Sequence, residues 1–306
     1  MYLCVMSSGK HAYLILAHTC PGQLRKLLGL LDHPRIDLFV HIDAKAGFDA
    51  SALDGCCKHS AVHFVEPRIS VNWGGVSIMR ATLALLKEAT REGHYDFYHL
   101  VSGMDLPIKP QDEMLAFFDA HPGQEFLKMW PFEAQRESRF RYFTLFPEGR
   151  HFFLTNLINN IVKGLLMALH IRINRDIEFR FAAQWFSITD DFARHVIGQE
   201  AWLEKVFRHT STCDEVFMPT LLWNSPFRDR LFDPTIHLER EQAVDEEHLG
   251  NLRFIDWTRG ESIRHPWTFR ADDWDLLMSV PYFWARKFDE RVDAEIIDRL
   301  YDYLRR

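Results

Sequence analysis

The residues best suited to chemistry in this 306-residue chain lie between His209 and Phe227. Adjacent carboxylates, Asp214 and Glu215, precede an apolar run in which Phe217, Leu221 and Leu222 recur at helical spacing. Both carboxylates therefore stand at the entrance of an expected helix, where one could act as an acid–base catalyst. A structural reading fits the same residues. Thr212 as N-cap with Glu215 three positions later is a capping box, and acidic side chains suit the positive end of a helix dipole. Cys213, beside the pair, has a nucleophile's atom but no histidine positioned in the motif.

Other polar clusters fall at chain positions that suit ligand binding. Val71-Asn72-Trp73-Gly74-Gly75 leads into a periodic segment, and paired glycines there permit either close backbone approach to a ligand or a simple turn. Ser102-Gly103-Met104-Asp105-Leu106-Pro107-Ile108 reads as a substrate-binding loop or a turn at the end of a buried strand. Arg136, Arg139, Arg141, Tyr142 and Phe143 mix guanidinium and aromatic groups, as a sugar or phosphate site would, although a solvated loop has the same composition. Asp272-Asp273-Trp274-Asp275 contains an Asp-X-Asp string that could hold a metal, on a helix start where acidic residues are expected anyway. His18 and His41 read as satisfied structural histidines near strand ends.

The elements that must position these groups alternate. Residues 11–18 read as a buried strand, Gln23 to Leu31 as a helix, and Asp37 to Ile42 as a second strand, which together make a βαβ unit and favour a parallel sheet. Val62 to Val65 and Tyr95 to Val101 add strands, with a helix from about Ser77 to Thr90 between them. Further strands are expected at Glu125 to Met129, Arg180 to Ser187 and Leu252 to Trp257, and a final helix at about Glu290 to Leu304. Residues 152–171 carry a broad apolar face broken by Asn156, Asn159, Asn160 and Lys163. That face suits core packing better than peripheral contact with a bilayer, and it is too interrupted to span one. One continuous domain over 1–306 is expected, its first half about 11–130 and its second about 131–306.

Composition bounds the class. Hydrophobic residues at 47% and charged residues at 26% describe a folded chain, and a formal net charge of −7 argues against a nucleic-acid binder. Five cysteines without a CxxC pair suggest neither a zinc cluster nor a disulfide framework, so a reducing compartment is expected. Without a signal peptide or a run of about 18 apolar residues, the expected location is cytoplasmic or peripheral at the inner membrane face.

Taken in order, Ala12-Tyr13-Leu14-Ile15, His41-Ile42-Asp43-Ala44-Lys45, Trp73-Gly74-Gly75, Leu100-Val101-Ser102-Gly103-Met104-Asp105-Leu106-Pro107, Gln184-Trp185-Phe186-Ser187, Asp214-Glu215 and Ala285-Arg286-Lys287-Phe288-Asp289 resemble the Core-2/I-branching glycosyltransferases. That family includes β-1,6-N-acetylglucosaminyltransferases and is related to peptide O-xylosyltransferases. The resemblance spans about residues 12–289 and implies an α/β fold of the GT-A type, with a mostly parallel sheet flanked by helices. It implies an inverting transfer from a UDP-sugar to a glycan or lipid-linked oligosaccharide, with no metal or other cofactor. Glu215 takes the position of the family's catalytic base, and Asp214 beside it an orienting or acceptor-side position. On the donor side stand Asp43, Trp73, Gly74, Gly75, Ser102 and Asp105. Lys287 matches the family's C-terminal lysine, and Arg264 stands where its arginine partner is expected, with Arg270 a competitor. Arg139, Arg141 and Trp257 are acceptor-side candidates. Two other classes compete: a silent nucleotide- or glycan-binding module, and a glycoside hydrolase, for which a second carboxylate is not identifiable.

Overall fold

A computed structural model describes residues 9–131, 134–148, 152–236, 249–259 and 265–305. Its first half runs β1 (His11–Ala17), α1 (Pro21–Leu31), β2 (Ile36–Ile42), β3 (Val62–Phe64), α2 (Ser77–Glu92), β4 (Phe97–Ser102), β5 (Asp105–Pro107), α3 (Gln111–Asp119) and β6 (Phe126–Trp130). The second half runs α4 (Ala134–Arg141), α5 (Phe153–Ala168), β7 (Phe181–Thr189), α6 (Asp190–Gly198), α7 (Glu200–Phe207), α8 (Phe217–Trp223), β8 (Arg253–Ile255), α9 (Trp274–Ser279), β9 (Trp284–Arg286) and α10 (Ala294–Leu304).

Side-chain alternation explains the layering. In β1, Ala12 and Leu14 join one apolar core with α2, α6, α7 and α8, whereas Tyr13, Ile15 and Ala17 join a second core with α1, α3 and α10. A strand that is apolar on both faces must be covered on both, as parallel strands usually are. The large sheet has the order β3-β2-β1-β4-β7-β6. β1 to β4 are parallel, and β7 runs antiparallel to β4 and to β6. The mostly parallel α/β architecture expected from the sequence is thus observed. The carboxyl ends of β1, β2 and β4 and the amino end of β7 share one edge, which is where ligands meet open α/β sheets.

A second sheet, β5-β9-β8, was not legible in the sequence. Arg253 of β8 bolts it to the large one. Its buried guanidinium donates to the carbonyls of Leu100 (3.2 Å) and Phe186 (2.7 Å) and to Ser187 Oγ (3.1 Å), and it lies over Trp284 at 4.4 Å. Burial lowers its pKa to about 9, so it stays charged at neutral pH.

Two expectations are corrected. α8 begins at Phe217 with Val216 as its N-cap and no side-chain cap, and Thr212 lies at φ 59°, so no capping box forms. The carboxylates sit on the turn before the helix, where Val216 and Phe217 N–H both donate to Cys213 O at 2.9 Å. Second, α5 buries none of its residues, so the core-packing reading of 152–171 fails.

Candidate active site

The expected donor-side residue Asp43 stands just past the end of β2, beside the end of β1. Asp43 is 6% exposed; its N–H donates to Ala17 O (2.8 Å) and its Oδ1 accepts the Lys45 N–H (2.8 Å). Arg68 holds the carbonyl of Asp43 at 2.6 Å. The strand end is thereby fixed by hydrogen bonds from both flanks. His18, one residue past β1, is exposed and not the enclosed structural histidine expected from the sequence. Its pKa is held below the ordinary value by desolvation, then by Arg286, Lys287 and Arg291, against the opposing pull of Asp43. Those couplings put residues from both ends of the chain into one electrostatic neighbourhood. His41 is structural as expected, with Nε2 accepting the Ile69 N–H at 2.9 Å.

Arg286 organises the next layer, and sequence reasoning passed over it in favour of Lys287. Asp105 pairs with Arg286 in the β5–β9 register. Arg286 Nη1 donates to Asp105 Oδ1 and Ser102 Oγ, both at 2.5 Å, while Ser102 N–H donates to Asp105 Oδ2 at 2.6 Å. Its guanidinium also lies 4.5 Å over the ring of Trp185, which accounts for the Gln184-Trp185-Phe186-Ser187 motif. Ser102 and Asp105 therefore hold a cation in place. Lys287 follows directly and is half-buried. Its backbone is pinned through Phe269 N–H to Lys287 O (2.9 Å) and Lys287 N–H to Trp267 O (3.3 Å). Asp289 closes the segment. It is gripped through both carboxylate oxygens by Arg291 at 2.8 and 2.7 Å, which holds its carboxyl down at about 2.

The Trp-Gly-Gly loop and the Asp-Glu turn, 138 positions apart, are joined directly. Thr212 N–H donates to Gly74 O at 2.9 Å, and the buried Cys213 thiol points at Gly75 O. Gly74 has φ 70°, and a Cβ on Gly75 would lie 2.2 Å from Glu148 Oε2. A side chain at Gly75 must displace that carboxylate, and the left-handed φ of Gly74 favours glycine. Glu148, which the sequence did not single out, caps α2 by accepting from Ser77 N–H and Ser77 Oγ, both at 2.7 Å. The glycines thus admit a capping carboxylate beside the loop. Trp73, 61% exposed, projects outward from it. Glu215 is half-buried, and its carbonyl accepts the Ala182 N–H at the start of β7 (3.0 Å), so the turn is fastened to the ligand edge of the sheet. Desolvation holds the Cys213 thiol far above its usual pKa, which removes it as a nucleophile.

The acceptor-side expectations divide. Arg141 is spent on structure: it donates to Glu137 (2.6 Å), Asn174 O and Ile177 O (2.9 Å) and lies over Phe179. It is withdrawn as an acceptor ligand because those bonds clamp the 172–177 segment. Arg139 lines a cavity of about 150 Å³ that also reaches Ser211, three residues before Asp214. Trp257 is half-buried two residues beyond β8, whose Ile255 pairs with Arg286. Arg264 lies outside the described residues. Its competitor Arg270 is exposed, with its guanidinium 5.2 Å from the Trp267 ring.

Within the Asp-X-Asp string Asp273 is committed to the protein, while Asp272 and Asp275 are exposed. Asp273 accepts from Trp267 Nε1 (2.9 Å), Arg270 N–H (2.8 Å) and Arg259 Nη1 (2.5 Å). A cavity of about 410 Å³, lined by His94, Asp96, Phe97, Thr189 and Arg230, lies at the opposite edge of the sheet, among the starts of β4 and the end of β7. None of the motif residues reaches it.

Comparison with known proteins gives these observations a frame. The chain is 26% identical to xylosyltransferase 2 of Rattus norvegicus over 299 residues, covering 94% of this chain and 33% of that protein. It is 23% identical to xylosyltransferase oxt of Drosophila melanogaster over 293 residues, covering 92% and 32%. It thus spans about a third of the length of the curated relatives it matches. The solved structure of mouse xyloside xylosyltransferase 1 in its apo form aligns over 90% of this chain and 97% of that one, at 13% identity and a TM-score of 0.37, too low to carry an argument. The sequence model of the Core-2/I-branching enzymes matches residues 11–276, and the chain belongs to that family.

Proposed function

We propose that this chain is an inverting glycosyltransferase of GT-A type that moves xylose or N-acetylglucosamine from a UDP-sugar to a hydroxyl of a glycan or lipid-linked oligosaccharide. In this single displacement the acceptor oxygen attacks the anomeric carbon and its proton passes to Glu215. The bond from that carbon to the diphosphate breaks on the opposite face, and UDP departs with the bonding electrons. Its growing negative charge is met by Lys287 and Arg286, cations that need no metal in this reading. Asp43 faces the nucleoside, and Trp73 offers a ring face to the sugar or base.

The observation that carries the reading is the hydrogen bond from Thr212 N–H to Gly74 O. It brings the base-bearing turn against the Trp-Gly-Gly loop at the sheet edge where Asp43 and the cation layer also stand. That the relatives are xylosyltransferases supports xylose among the candidate sugars. Glu215→Gln tests the reading: transfer is expected to vanish while UDP binding by calorimetry persists. Retained transfer would remove Glu215 from the base role.

A further inference from the structure

We propose that α5 and its flanks dock the protein flat on an anionic lipid bilayer. A surface helix normally turns its apolar stripe inward and its polar side to water. α5 turns Ile158, Val162 and Leu166 partly inward but leaves a second apolar row facing outward. Phe153, Leu157, Ile161 and Leu165 are exposed by 84, 43, 54 and 60%, whereas Asn159 and Lys163 on the opposite side are turned to the body. There Asn159 brackets Phe146 by donating to its carbonyl (3.0 Å) and accepting its N–H (2.9 Å), and Lys163 donates to Ser138 Oγ (2.7 Å). Leu169 and Ile171, also exposed, follow the outward row past the end of the helix. Among the described residues nothing covers it, and contiguous apolar area on this scale marks an interaction site.

Charge selects the occupant. From Phe152 to Arg175 the chain has no Asp or Glu; with Lys163 turned inward, its exposed cations are Arg172 and Arg175, and Asp176 and Glu178 follow, within a protein of net charge −7. An apolar face edged by cations matches the boundary of a bilayer with anionic headgroups. A two-fold dimer through this face would instead bring like-charged rims together. α5 is 16 residues long and no helix among the described residues can cross a membrane, so the contact is interfacial. The cavity shared by Asn156, Asn159, Lys163, Arg139 and Ser211 places the inward side of α5 near the Asp-Glu turn. If the proposed transfer holds, the acceptor is then presented from the membrane surface. Docking itself does not depend on that transfer.

Flotation of the intact protein with vesicles tests this. Binding is expected to vesicles with about 30% phosphatidylglycerol, to fall at high salt, and to be weak on pure phosphatidylcholine. Leu157→Gln with Ile161→Gln, both solvent-facing, should lower binding at least about tenfold with an unchanged thermal melt. Vesicle binding that survives this pair overturns the proposal. So does a dimer in ultracentrifugation that the pair converts to monomer while neither protein floats. UDP-sugar turnover on a water-soluble acceptor should be the same for both proteins. Its absence in both would count against the transferase reading and leave docking standing.

Discussion

Removing Arg286 should expose two separable effects. The pair with Asp105 has side chains 22% and 6% exposed, much nearer the buried than the surface regime. Breaking a buried pair by deleting one partner costs about 3–5 kcal/mol, and a surface pair less than about 1 kcal/mol. Arg286→Ala leaves Asp105 with the Ser102 N–H at 2.6 Å and removes the cation over Trp185. With that remaining bond, the loss should be roughly 2–4 kcal/mol. For a chain of this size that lowers Tm by about 3–6 °C. Only Nη1 of Arg286 is committed to protein hydrogen bonds among the described residues, which leaves Nε and Nη2 for a diphosphate. Losing one such donor should reduce kcat for UDP release by roughly a hundredfold or more. Arg286→Lys keeps a charge without the planar fork, so it should recover part of the Tm and little of the rate. The assays are thermal unfolding and a coupled UDP-release measurement at a temperature where each variant is folded. An Arg286→Ala protein with wild-type kcat would refute the leaving-group role. A Tm within a degree of wild type would refute the buried-pair argument.

Trp73→Ala should raise KM for the donor or acceptor about tenfold with Tm nearly unchanged, because its ring is largely in solvent; a kinetic titration against both substrates checks this. Gly75→Ala should destabilise the fold by about 1–3 kcal/mol, since the new Cβ displaces the Glu148 carboxylate from the start of α2; denaturant unfolding reads the change. EDTA should leave transfer unchanged, and a large loss reversed by a divalent cation would reinstate metal assistance. Stability should also fall in acid. His11, bonded to His99 at 2.9 Å, has a folded-state pKa lowered to about 3 by burial, and that of His99 is lowered well below its ordinary value for the same reason. The unfolded chain then binds more protons below about pH 6.5, costing about 1.4 kcal/mol per pH unit for each histidine. Glu125 works oppositely: burial raises its pKa to about 7, so the folded state takes up a proton between about pH 7 and 4.5. Glu125→Gln should therefore steepen the acid loss in that window, as followed by unfolding midpoints across pH.

How far the sequence revealed this arrangement depended on the range of the interaction. Short continuous apolar runs such as Ala12 to Ala17 announced buried parallel strands because both core faces are written into one segment. The Asp-Glu pair announced itself because adjacent carboxylates before an apolar run are locally visible, yet the same locality made the capping box attractive. Thr212 instead takes φ 59°, with its N–H given to Gly74, a partner that local spacing cannot reveal. The small sheet escaped detection because three-residue strands such as β5 and β9 have too little periodicity to register. Arg286 was hidden for the same reason: its partners Ser102, Asp105 and Trp185 lie at least 101 positions away, and nothing around it differs from a solvated arginine. α5 is the instructive inversion. Its asparagines and lysine looked like the solvent side because polar residues usually are. Here Asn159 and Lys163 give hydrogen bonds to Phe146 and Ser138 against the body, Asn156 and Asn160 stay exposed, and one apolar row is left facing outward. A helical stripe in sequence fixes which residues share a face, but only tertiary partners decide which face meets the protein.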